Sequence, residues 1–138
     1  MNRESAVSEI LRRVPEELET DRTVLKDWLL QIIPPQVECL ASTTTFGPET
    51  DEDARLDAMV LSHDDWLYLI TVYDDQVTAD MGPAKVVESL ELNLGPIHYT
   101  LSIYRGSRES WEFEIEVTSE YASEFATFLN RLESIMKR

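Results

Sequence analysis

Hydrophobic residues recur along this chain with a helical period, then a strand period, then a helical period again. In residues 3–14, Val7, Ile10, Leu11 and Val14 form one apolar stripe. Asn2 is placed to cap that helix, and Pro15 forbids its smooth continuation. A second helix is expected from Pro15 or Thr20 to Ile33. Leu18, Leu25, Trp28, Leu29 and Ile32 share its apolar face, and Val24, Leu30 and Ile33 widen it. Pro34 and Pro35 stop it, because neither donates a backbone hydrogen bond and each disfavours helix before it.

From Val37 the period becomes two. Strands are expected over 37–46, 56–61 and 66–73, the last apolar on both faces and therefore central or covered. A short strand follows near 77–81 and ends at Gly82-Pro83. Residues 85–94 fit two patterns. Val86, Val87, Leu90 and Leu94 suit a helix, whereas Leu90, Leu92 and Leu94 alternating with Glu91 and Asn93 suit a strand. The tight Gly95-Pro96 turn favours the strand. Two more are expected over 97–105 and 111–117, joined by a turn at Gly106-Ser107-Arg108. In the latter, Trp111, Phe113, Ile115 and Val117 face inward and Glu112, Glu114 and Glu116 face water. The last element is an amphipathic helix with Ser119 as the expected N-cap and Glu120 in its first turn. Tyr121, Phe125, Phe128, Leu129, Leu132, Ile135 and Met136 make its stripe. The pattern predicts an α+β fold: an N-terminal helical extension over 1–35 and a strand-rich unit with a C-terminal helix over 36–138.

Charge narrows the partners. The 138 residues include 27 acidic and 12 basic side chains, a formal net of −15. Nucleic acids and anionic membranes are bound chiefly by Lys and Arg, so the average field here repels both. A basic protein partner is the complementary expectation. No window reaches the ~18 apolar residues of a membrane helix, and the first thirty residues lack the apolar stretch of a secretory signal. Cys39 is the single cysteine, so no intramolecular disulfide forms. A soluble, cytoplasmic protein is expected.

Seven antiparallel strands in hairpin succession followed by one amphipathic helix resemble the pleckstrin-homology-like superfold. The stretch 85–132 looks most like its bacterial versions: an apolar strand, a Gly turn, a Tyr/Leu/Ile strand, a Trp/Phe strand, then the helix. Residues 59–70 are similar to the family's second and third strands. The resemblance implies a seven-stranded sandwich or barrel closed by the C-terminal helix, and leaves residues 1–35 outside. Lipid-binding members carry Lys and Arg around the first inter-strand loop, where this chain has Glu49, Asp51, Glu52, Asp53 and Asp57 against Arg55. The fold is implied, and no lipid site with it.

Chemistry-bearing motifs are weak. Counted from Asp51 as a calcium loop, position six is Leu56 where Gly is needed, and position twelve is Ser62 where an acid is needed. Ser62, His63 and Asp64 are adjacent on a short turn, a spacing that cannot form a nucleophile–base–orienter triad. His98 reads as a surface residue and Cys39 as a small core residue; two distant His and one Cys do not make a zinc site. Trp28, Trp66 and Trp111 sit in apolar patterns and read as core. No phosphate loop is present in a chain with four isolated Gly.

The expectation is a non-enzymatic protein-binding or adaptor domain without cofactor or metal. Glu49, Asp51, Glu52, Asp53 and Asp57 are its candidate partner-binding residues. The partner either adds a strand to a sheet edge or lays a helix in a groove. An acidic inhibitor (an immunity protein or a nucleic-acid mimic) is the alternative. A likeness to secretion chaperones is the third reading, and it requires a helix at 85–94. The wide apolar faces of the N-terminal helices need cover, from their own domain, a second copy or a partner.

Overall fold

The computed structural model describes residues 1–45, 54–106 and 109–138. It is α+β, with three α-helices and two antiparallel sheets. Helices α1 (Arg3–Arg13) and α2 (Arg22–Ile32) come first. Strands β1 (Val37–Thr45), β2 (Arg55–Ser62), β3 (Trp66–Val72) and β4 (Val77–Pro83) form a meander in the order β1-β2-β3-β4. One turn of 3-10 helix, Ala84–Val86, leads to β5 (Ser89–Leu94), β6 (His98–Tyr104) and β7 (Trp111–Glu116), a second meander. Helix α3 (Ala122–Met136) follows. The described strands form two separate ladders and do not close one barrel.

The ends of α1 and α2 follow from local chemistry. Asn2 Oδ1 accepts the Ser5 N–H at 2.8 Å, and α1 stops before Pro15. Asp21 caps α2 by accepting the Thr23 N–H at 2.7 Å, so the helix begins later than Pro15 or Thr20. Residues 85–94 resolve as a turn and a strand. The long helix that the chaperone likeness needs is therefore replaced by one 3-10 turn. At α3 the capping residue is Tyr121. Ser119 acts two residues earlier, its Oγ accepting the Tyr121 N–H and its carbonyl the Ala122 N–H, each at 3.1 Å.

The four-stranded sheet separates two cores. On its outer face Leu56, Ala58, Val60, Ile70 and Val72 pack against Val7, Ile10, Leu25 and Leu29 of α1 and α2. On its inner face Met59, Leu61, Leu67 and Leu69 meet Leu101, Ile103, Phe113 and Ile115 of the other sheet, with Phe125, Phe128, Leu132 and Ile135 of α3. Every residue of β2 from Leu56 to Ser62 is buried, because both faces are covered. The apolar faces of α1 and α2 thus pack on their own sheet, with Val24 left exposed and Trp28, Leu30 and Ile32 partly buried. Main-chain bonds also join α1 to the start of β1: the Val37 N–H reaches the Met1 carbonyl at 2.8 Å, and the Arg3 N–H the Pro35 carbonyl at 3.1 Å.

Candidate binding surface

The acidic candidates divide. Glu49, Asp51, Glu52 and Asp53 lie outside the described residues, as does Phe46 at the expected end of the first strand. Asp57 is not on a solvent-facing loop; it sits in β2 and is 4% exposed. It accepts the Thr71 hydroxyl at 2.9 Å and the Arg55 Nε–H at 3.3 Å. Burial pushes its pKa above the usual carboxylate value, and Arg55 and Thr71 oppose that shift. Its carboxylate is engaged inside the protein and offers little to a partner.

The second sheet presents a different acidic surface. Cross-strand rows Glu91–Ser102–Glu112, Asn93–Thr100–Glu114 and His98–Glu116 make its outer face. Glu91, Glu112, Glu114 and Glu116 are all exposed, and no Lys or Arg occurs within β5, β6 or β7. His98 Nδ1 lies 3.7 Å from Glu114 Oε1 on this face. Glu91 accepts the Tyr104 hydroxyl at 3.0 Å.

The edge of that sheet is open. β5 pairs only with β6 and has no strand on its other side among the described residues. The Gly95 N–H bonds the His98 carbonyl at 2.9 Å, which fixes the alternation of the ladder. Leu94, Leu92 and Leu90 then occupy the non-bonded pairs opposite Tyr99, Leu101 and Ile103. Their backbone N–H and C=O groups point away from β6, to the unpaired edge. Their side chains lie on the core-facing side, where cover fails progressively. Leu90 is half-buried, Leu92 is 39% exposed and Leu94 67%, with Ile97 in the adjoining turn at 63%. Sequence alternation marked this strand and its apolar face; it carried no signal that the face is uncovered.

A second feature is a cation enclosed at the β1 edge. Arg13 reaches from α1 around β1 to α3, its side chain 4% exposed. It donates to Ser42 Oγ at 2.8 Å, to both oxygens of Glu124 at 2.7 and 2.8 Å, and to Glu9 through Nη2 at 2.9 Å and Nε at 3.2 Å. The Tyr121 ring lies 4.0 Å from its guanidinium carbon. A cleft of about 320 Å³ opens beside it, lined also by Thr43, Thr44 and Glu116. All five N–H donors of the guanidinium are engaged, so it joins layers and has none left for a ligand.

The remaining candidates read as structure. Ser62 Oγ bonds Asp64 and accepts the Trp66 N–H at 3.0 Å, organising the β2–β3 turn, and His63 is exposed. Asp65, at φ 63°, receives Arg131 at 3.4 Å and Arg138 at 2.8 Å and ties α3 to that turn. Cys39 is half-buried, and desolvation with neighbouring Glu38 raises its thiol pKa to about 11, so it stays protonated at neutral pH. Trp28 and Trp111 are half-buried; Trp66, expected in the core, is exposed at the start of β3 opposite Pro83. Among the described residues no three His, Cys, Asp or Glu side chains gather to hold a metal ion, and no helix is long and apolar enough to cross a membrane. Compared with known proteins, the chain matches no family model and no curated sequence, so no relative assigns these residues a role.

Proposed function

We propose that this chain is a non-enzymatic protein-binding domain that takes an extended segment of its partner on the free edge of β5. One observation carries the reading: an edge strand whose outward backbone groups belong to three leucines, of which Leu92 and Leu94 are themselves exposed. Edge strands left open to solvent commonly carry charges, prolines or bulges that prevent pairing. Strand addition uses what this edge offers, main-chain hydrogen bonds for affinity and alternate side chains for selectivity. Four- and three-stranded ladders sharing one core with a C-terminal helix support a pleckstrin-homology-like sandwich as the scaffold.

Selection of random displayed peptides on the wild type, with counter-selection on Leu92→Lys/Leu94→Lys, tests the reading. Peptides that prefer the wild type are expected. A peptide pool that binds both proteins equally refutes it. The exposed row Glu112, Glu114 and Glu116 favours a second reading, an acidic inhibitor whose carboxylates stand in for phosphates. In that case selected ligands lose binding on Glu112→Gln/Glu114→Gln/Glu116→Gln and are indifferent to Leu94.

A further inference from the structure

Resting on the β5-edge reading, we propose that the partner segment is a strand in which basic and apolar residues alternate, added to β5 with its basic side chains on the outer face. The ladder fixes which positions meet which chemistry. A residue set opposite Leu90, Leu92 or Leu94 exchanges hydrogen bonds with that leucine and points its side chain to the core-facing side. There it extends the apolar surface that ends at Leu92 and Leu94, and a charge would be desolvated without a partner. A residue opposite Glu91 or Asn93 projects to the other face. That face carries Glu91, Glu112, Glu114 and Glu116 with no Lys or Arg in its strands. Glu91 adjoins the added strand directly, so lysine or arginine opposite or diagonal to it is attracted and a carboxylate repelled. Glu112, Glu114 and Glu116 lie two strands farther in, on β7. The two faces together demand period-two alternation of two residue classes.

The same charges argue against a second copy as occupant. Antiparallel β5–β5 pairing would continue one sheet across two chains and lay two acidic outer faces side by side, on molecules of net −15 each. A register that sets Glu91 opposite Glu91 is opposed by like charge, and in every register the net charges of the two chains repel. The geometry points to a heterologous basic strand.

The test uses the whole chain and four synthetic heptapeptides: alternating Lys and Val, alternating Thr and Val, alternating Glu and Val, and a block isomer with the lysines and valines of the first segregated. Binding is measured by titration calorimetry near ~150 mM salt, where long-range attraction between exposed charges is largely screened. Amide exchange of Leu90, Leu92 and Leu94 is followed by NMR in the same samples. The Lys/Val alternator is expected to bind at least tenfold more tightly than its block isomer and than the Glu/Val peptide, and to slow exchange at those three amides. Leu94→Lys should weaken it tenfold or more without altering the circular dichroism spectrum. Leu92→Pro should do the same, because the N–H it removes is not used by β6; where that variant fails to fold, Leu94→Lys carries the test.

If the Thr/Val peptide protects the three amides as well as the Lys/Val peptide does, edge addition stands and the basic preference is wrong. If no peptide protects them, the edge reading itself falls. Equal binding of alternator and block isomer overturns the register argument, because attraction by net charge alone is blind to order. A dimer by light scattering that Leu94→Lys dissolves overturns the choice of occupant.

Discussion

Replacing Arg13 by methionine removes one guanidinium and keeps most of the aliphatic stem, so it isolates the polar clamp between α1, β1 and α3. Breaking a buried ion pair by removing one partner costs roughly 3–5 kcal/mol, because the remaining charge is stranded. Here the two carboxylates are not fully stranded. Glu9 and Glu124 are 34% and 36% exposed and regain water once Arg13 is gone. Ser42 is buried and loses its donor, and Tyr121 loses the cation over its ring. The discount for rehydration brings the expected loss to about 2–3 kcal/mol. Glu124→Gln keeps one acceptor oxygen and should cost about 1 kcal/mol, the difference between a charge-assisted and a neutral bond. Urea melts followed by tryptophan fluorescence measure both variants, and the double variant closes a cycle. Neighbours sharing a hydrogen-bond network should show a coupling of about 1 kcal/mol or more. A loss below about 0.5 kcal/mol for Arg13→Met, or additive single changes, would show that the clamp holds nothing together.

Other outcomes follow from the two-core arrangement. Phe125→Ala should destabilise the fold by about 3–5 kcal/mol, since its ring stacks on Phe113 and Tyr99 at 5.5 and 6.4 Å between centroids; denaturant melts check it. Asp57→Asn should raise the melting temperature at neutral pH. Its folded pKa lies above the unfolded value of 3.8, so the native state holds its proton more tightly. The stability this provides is full below 3.8 and lost as pH rises through the raised value, and the advantage of Asn should fade below pH 3.8. Deleting residues 1–35 strips the outer face of β2 and β3, so the truncated chain should not refold to a cooperative monomer, as thermal melts and light scattering would show. Vesicles containing phosphoinositides should not co-sediment the protein near ~150 mM salt, given its net charge of −15.

The elements were legible where one physical cause dominated. Asn2 before an i, i+3, i+4, i+7 stripe, and Pro34-Pro35 after another, placed α1 and the end of α2 to within a residue or so. Trp111, Phe113 and Ile115 alternating with three glutamates identified β7. The two-faced burial of β3 was readable from Leu67, Tyr68, Leu69 and Ile70, all apolar. What covers each face was not. Tyr68 and Ile70 meet the N-terminal helices, while Leu67 and Leu69 meet α3 and the second sheet. Periodicity reports that a face is apolar and is silent about its neighbour. For that reason residues 1–35 read as an appendage, although they supply the helical side of one of the two cores. Asp57 was misplaced by the same logic, because charge in a sequence reads as solvent exposure. Arg55, two residues away on the same face of β2, is a local partner, but nothing local announced the Thr71 hydroxyl that the Asp57 carboxylate also accepts.

The surface that carries the functional reading was hidden for a related reason. Leu90, Leu92 and Leu94 are identical in type and spacing, yet their exposure climbs along the strand because cover runs out toward its far end. Among the described residues this contrasts with the other strand edges. β7 presents Glu112, Glu114 and Glu116, β1 is wrapped by Arg13 and its carboxylates, and β4 ends in Gly82-Pro83. Charges and proline are devices that discourage unwanted pairing. A chain with 27 carboxylates does not lack such residues. It places one at Glu91, on the outer face, and leaves leucine at the positions whose backbone meets the free edge. That combination disfavours acidic strands and a second copy while leaving the backbone ladder available to a basic one, which makes β5 the edge most open to a partner strand.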